Sequence, residues 1–160
     1  MIQLTDEPID AQRLLQLAQQ PEAGAVLLFL GTTRQFTDER ETVQLQYDAY
    51  REMAVRELEK LEREARRRWP IVESGIVHRL GLVPLAEASV AIVVSSPHRE
   101  EAFAAGRWLI DALKKSVPIW KQEHWADGAV EWVHPVATNS NPVTPRYSEG
   151  SGQILRSTSE

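Results

Sequence analysis

The chain has 160 residues, a formal net charge of −5, 42% hydrophobic and 26% charged residues, and no cysteine. That size and balance suit one soluble domain with its own core and exclude collagen, coiled coil and long disorder. Without cysteine there is no disulfide framework, thiolate metal site, iron–sulfur cluster or cysteine nucleophile, so any sulfur in its chemistry arrives on another molecule.

In chain order, a short helix is expected over residues 10–18, carrying Leu14, Leu15 and Leu17. Residues 24–30, GAVLLFL, form a continuous apolar run of strand length, the pattern of a strand covered on both faces, and it ends at Gly31. Residues 32–42, TTRQFTDERET, are polar, too long for a tight hairpin and without helical period, and read as a mobile loop. Val43, Leu45, Tyr47 and Ala49 alternate with Gln44, Gln46 and Asp48, which predicts a strand with one wet face. A helix follows over residues 52–69, striped by Met53, Leu58, Leu61, Ala65 and Trp69 and stopped by Pro70. Arg66, Arg67 and Arg68 read as its solvated end, complementing the dipole. Strands are expected over residues 72–78 and 89–95.

The third helix is expected to start with Ser96 as N-cap, Pro97 in the first helical position and Glu100 and Glu101 in the first turn. Ala102, Phe103, Gly106, Leu109, Ile110 and Leu113 mark its packed face. Pro118 ends it, and residues 119–125 and 129–133 make a final hairpin around Asp127 and Gly128. This order gives an α+β sandwich, helices on a mixed or mainly antiparallel sheet, as one domain over residues 1–136. Residues 137–160 are dominated by Ser, Thr, Asn, Pro and Gly and are expected to be a flexible tail. The tail's charges, Arg146, Arg156, Glu149 and Glu160, cancel, so the domain carries the whole −5.

The start, MIQLTDEPID, lacks a basic segment followed by an apolar run, and no stretch approaches the roughly 18 apolar residues of a membrane span. The expected location is cytoplasmic, with no membrane contact. An acidic chain has no general attraction for nucleic acid, so an anionic ligand must be met by a local cluster of bases.

Cations gather in three places. His98 and Arg99 open the third helix, where the dipole opposes them and a bound phosphate would compensate through charge-assisted hydrogen bonds. Lys114 falls at the edge of that helix's apolar stripe, where partial burial would make it a usable base or nucleophile, whereas Lys115 points to solvent. Lys121 shares a strand face with Ile119 and Glu123, next to a carboxylate partner. Each alone also fits a plain structural role: a surface helix start, a lysine stem along the core, a strand-edge lysine that discourages aggregation. His78, His124 and His134 have no ligand spacing, so no metal is expected, and no phosphate-binding glycine loop or nucleophile elbow occurs.

Taken together the segments resemble the large, catalytic subunit of molybdopterin synthase, the MoaE family. The resemblance rests on the stretch from Gly24 to Arg34 (GAV…GTTR), EARRRWP at 64–70, HRLG at 78–81, SSPHREEAF at 95–103, Leu113-Lys114-Lys115, and PIWKQE at 118–123, in order over residues 2–134. It implies an α/β hammerhead-like fold with a small added β subdomain. It further implies sulfur transfer from the C-terminal thiocarboxylate of a small ubiquitin-like subunit, ending in Gly-Gly, to cyclic pyranopterin monophosphate (precursor Z), forming the molybdopterin dithiolene. No cofactor is implied. The partners implied are that sulfur-carrier subunit and a second copy of the chain, as a homodimer within a heterotetramer.

By the same resemblance Arg34, His98 and Arg99 hold the anionic pterin, and Lys114 and Lys121 are the catalytic pair. Thr32, Thr33, Gln122 and Glu123 complete the substrate site, and the loop over residues 33–42 is disordered until ligand closes it. The chain departs from the family pattern where members often carry Lys, here Thr32, and where they commonly carry Arg after the last core strand, here Val133-His134-Pro135-Val136, with His134 or Arg146 as substitutes. The alternative in another class is a non-catalytic binding module, in which the same cations tether a phosphorylated metabolite or a partner's tail.

Overall fold

The computed structural model describes residues 1–133. The tail expected over residues 137–160, and the candidates His134 and Arg146, lie outside them. The chain alternates strands and helices: β1 (Ile2–Thr5), α1 (Ala11–Ala18), β2 (Ala25–Thr32), β3 (Phe36–Thr37), β4 (Arg40–Ala49), α2 (Arg51–Arg68), β5 (Glu73–Arg79), β6 (Gly81–Pro84), β7 (Ala88–Ser96), α3 (Arg99–Ser116), β8 (Ile119–Trp125) and β9 (Val130–Val133). The α+β architecture is as the sequence predicts. Three strands went unforeseen: β1 and β6, of four residues each, and β3, of two, are too short to show a period.

The first sheet runs β1-β5-β7-β2, with β1 parallel to β5 and the other pairs antiparallel. Successive residues of β5 and β7 point to opposite faces and build two cores. Ile76, Ile92 and Val94 pack with Leu58, Leu61, Leu109, Ile110 and Leu113 of α2 and α3. Val77, Ala91 and Val93 pack with Leu14 and Ala18 of α1. The second sheet runs β3-β4-β8-β9, with β6 also paired to β4.

Several expectations are corrected. The apolar run of β2 is not covered on both faces: β2 is an edge strand, and α1, eight residues long, reaches Leu28 but leaves Val26 and Leu30 exposed. Residues 32–42 hold a tight hairpin after all. Phe36 and Thr37 pair with Glu41 and Arg40 across Asp38 and Glu39, whose φ values of 47° and 67° are those of the mirror-image turn that matches strand twist. A register shift between Thr42 and Gln44 then moves Val43 outward and leaves Thr42 buried, so the alternation read from Val43 begins one residue out of phase. Met53 and Phe103 are exposed, and Ala54 and Ala105 take the core positions beside them.

The start of α3 also differs. Ser96 stays in β7 and its hydroxyl donates to the Pro70 carbonyl at 2.9 Å, so it caps nothing. His98 occupies the N-cap without a side-chain bond, Arg99 is the first helical residue, and Glu100 and Glu101 fall in the first turn as expected. The three arginines ending α2 are exposed and pair with Glu62, Glu64 and Glu73, which accords with a solvated helix end. Among the described residues no helix is long and apolar enough to cross a membrane.

Candidate active site

A cavity of about 380 Å³ opens where the second sheet meets the C-terminal end of α3. Its deeper wall is apolar, from Leu45, Ile110, Leu113, Val117 and Ile119, and its polar groups come from several elements: Thr32, Arg34, Thr37, Tyr47, His78, Ser89, Lys114, Lys121 and Glu123. The last turn of α3 delivers Lys114, and the chain reverses through Val117 into β8, whose period of two turns Lys121 and Glu123 to the same side. Lys121 lies opposite Tyr47 in the β4–β8 register, and Glu123 opposite Leu45.

Glu123 is the best-anchored group of the site. It is 2% exposed; the Thr42 and Thr37 hydroxyls donate to its Oε1 at 2.8 and 3.0 Å, and Lys121 Nζ stands 3.5 Å from Oε2. A buried carboxylate survives because these donors and the ammonium replace its water. The Lys121–Glu123 pairing expected from the alternation is present. Lys114 is not at the core edge: it lies in the last turn of α3, two residues before the helix ends, and is exposed.

Two residues that the sequence reading left aside belong to the cavity. His78 is 4% exposed, its Nδ1 donates to the Arg79 carbonyl at 2.9 Å, and its ring meets Tyr47 edge-on at 5.0 Å. Burial brings its pKa down to about 4, against the opposing pull of that carbonyl. Burial likewise raises the Tyr47 phenol above its usual value; the neighbouring Ser89 hydroxyl opposes the shift and the Glu123 charge adds to it. The signal available for His78 was its place at the end of an apolar strand, which a single sequence does not distinguish from a packed core histidine.

The remaining expected residues lie elsewhere in the single chain. His98 and Arg99 stand with Glu100 and Phe103 in a separate surface depression at the start of α3, at the other end of that helix from Lys114. Thr33 is buried and does not line the cavity; its backbone and hydroxyl hold the β6–β7 turn through Glu87, Ala86 and Val83. Gln122 projects from the opposite face of β8 and accepts from His124 Nε2 at 3.0 Å. Arg34, Lys114 and Lys121 therefore share one hollow, and His98 and Arg99 do not join them within one chain.

Fold and cavity define an α+β protein whose cation-rimmed, apolar-walled pocket suits a small anionic molecule. The family model described as the MoaE protein matches residues 4–116. The chain is 49% identical over 134 residues to the molybdopterin synthase catalytic subunit of Culex quinquefasciatus, covering 82% of this chain and 85% of that one. The solved molybdopterin synthase from Staphylococcus aureus superposes with a TM-score of 0.77 at 36% identity, over 81% of this chain and 94% of that chain. The complex of subunits 1 and 2 of molybdopterin-converting factor from Helicobacter pylori shares the fold, with a TM-score of 0.67 at 23% identity, over 88% and 93% of the two chains. The chain belongs to the MoaE family.

Proposed function

We propose that the chain is the catalytic subunit of a molybdopterin synthase, which transfers sulfur from the C-terminal thiocarboxylate of a small ubiquitin-like subunit to cyclic pyranopterin monophosphate. The observation that carries this reading is the convergence of Arg34, Lys114 and Lys121 on one cavity with an apolar inner wall. Such a site holds a phosphorylated ring and leaves an acyl sulfur room to approach. In each transfer a carbon–sulfur bond forms on the substrate as a carbon–oxygen bond to the same carbon breaks, its oxygen leaving with the opened phosphate ester or as water. Water then cleaves the acyl–sulfur bond, leaving the sulfur on the substrate, and the tail departs as a carboxylate. Anionic oxygen develops at the acyl carbon and as the cyclic phosphate opens, where the two lysines and Arg34 stabilise it.

Lys121, held at 3.5 Å from Glu123, is fixed in place and serves the developing charge. Lys114 is free to move protons once the tail or substrate covers it. His98 and Arg99 complete the neighbouring copy's cavity in a homodimer that carries one small subunit on each chain, and the β3–β4 hairpin closes over the substrate. The bound partner complex of the Helicobacter pylori relative supports a small-subunit partner. The absence of cysteine fits a donor on another chain.

Incubating the chain with the pterin substrate and a thiocarboxylated small subunit, then assaying molybdopterin, tests the reading. Molybdopterin is expected only with the thiocarboxylate form. Its absence with a competent small subunit would contradict the reading and favour a binding module.

A further inference from the structure

Of the cavity's polar groups that the transfer chemistry above does not use, His78 carries a ring nitrogen without a partner among the described residues. His78 Nδ1 faces a carbonyl oxygen, which only accepts, so Nδ1 carries the proton. The ring is almost wholly buried, opposite Val90 in the strand register and edge-on to Tyr47, and is neutral, as its lowered pKa of about 4 agrees. A neutral imidazole protonated at Nδ1 presents Nε2 as an acceptor only. Among the described residues Nε2 has no hydrogen-bond partner, and His78 lines the cavity. The cations Arg34 and Lys114 are exposed at the rim, while His78 lies deep beside the apolar wall. The hollow is thus graded: positive at the mouth, hungry for a neutral donor inside.

We propose that His78 is a specificity residue, whose Nε2 accepts a hydrogen bond from a ring N–H of the substrate, so that a flat N–H-bearing heterocycle enters first and its phosphate stays at the cationic rim. This rests on the reading of the site as a pterin phosphate pocket. It separates two jobs: the rim cations bind any phosphate, and His78 selects which phosphorylated molecule fits. Leaving the substrate's buried N–H without its acceptor weakens binding by about tenfold. A flat, apolar replacement loses that bond, whereas the carbonyl of a glutamine can take the place of Nε2.

The test measures affinities of cyclic pyranopterin monophosphate and of inorganic phosphate for the full chain, His78→Phe and His78→Gln, with circular dichroism to confirm folding. His78→Phe is expected to bind the pterin phosphate about tenfold more weakly, His78→Gln to recover most of that loss, and both to bind inorganic phosphate as the parent does. In parallel, the nitrogen NMR shift of Nε2 in the parent chain should move toward the hydrogen-bonded value on adding the pterin phosphate and stay put with inorganic phosphate. That second measurement needs no variant to fold. Unchanged pterin affinity in His78→Phe, equal losses for both ligands, or an Nε2 signal indifferent to the pterin would overturn the role of His78 alone. Failure of the parent chain to bind the pterin phosphate would overturn the pterin pocket as well.

Discussion

Between Tyr47 and the Arg79 carbonyl, an imidazole keeps its neutral form where a free histidine charges. The sign of the stability effect follows. Above pH 6.5 the unfolded chain's histidine is neutral too and the folded state keeps its full advantage. Between 6.5 and about 4 the unfolded chain takes up a proton that the folded chain refuses, so stability falls as pH falls. Over the whole window this single group accounts for about 3 kcal/mol. Urea unfolding at stepped pH should therefore show a steeper acid loss in the parent than in His78→Phe; parallel curves would mean the ring is solvated. Residue chemistry was legible where period alone set it: Lys121 and Glu123 share a face because they are two apart on a strand. It was not legible for Lys114, whose exposure depends on where α3 ends, or for His78, whose environment comes from other elements, Tyr47 of β4 and Val90 of β7 among them.

At the scale of elements, the β3–β4 hairpin owes its place to Arg40. That guanidinium reaches Glu131 at 2.9 Å and Asp127 at 3.4 Å and lies over the Trp125 ring at 3.9 Å, tying one hairpin to the next. Both ion pairs are solvent-exposed, so Arg40→Ala should cost under about 1 kcal/mol of global stability. Amide exchange in residues 36–41 should nevertheless accelerate, and unchanged protection would show that the strand pairing alone holds the hairpin. A second joint is tighter. A Cβ added at Gly24 would meet the Pro97 carbonyl oxygen at 2.2 Å, and that backbone turn cannot yield without moving His98 and Arg99. Gly24→Ala is expected to destabilise by about 1–3 kcal/mol in thermal or denaturant unfolding, a loss that a neutral result would refute. The long helices and β8 were readable because their apolar periods persist over several turns or pleats. The hairpin was not, because its turn uses Asp38 and Glu39 at positive φ where Asn-Gly is the usual signal. Nor was the cap of α3, since Ser96 spends its hydroxyl on Pro70.

Across the whole molecule, the cations divide into two sets at opposite ends of α3. Lys114, Lys121 and Arg34 line the cavity, and His98 and Arg99 stand apart. If the second set serves a neighbouring copy, a mixture of Lys114→Ala and Arg99→Ala chains forms mixed dimers with one intact site, and activity should exceed that of either variant alone. No recovery would place both sets in one chain's chemistry or remove Arg99 from it. This division was beyond the sequence, which gave the order of the cations but not the depth of the pocket or the length of helix separating them. The central claim is that the lysines ending α3 and opening β8 act together on the reacting sulfur and carbon. Single-turnover formation of molybdopterin by the parent chain, Lys114→Ala and Lys121→Ala, each with the same thiocarboxylated small subunit, measures it most directly. Rates falling by about a hundredfold or more in both variants are the expected result; near-parent rates in both would contradict it.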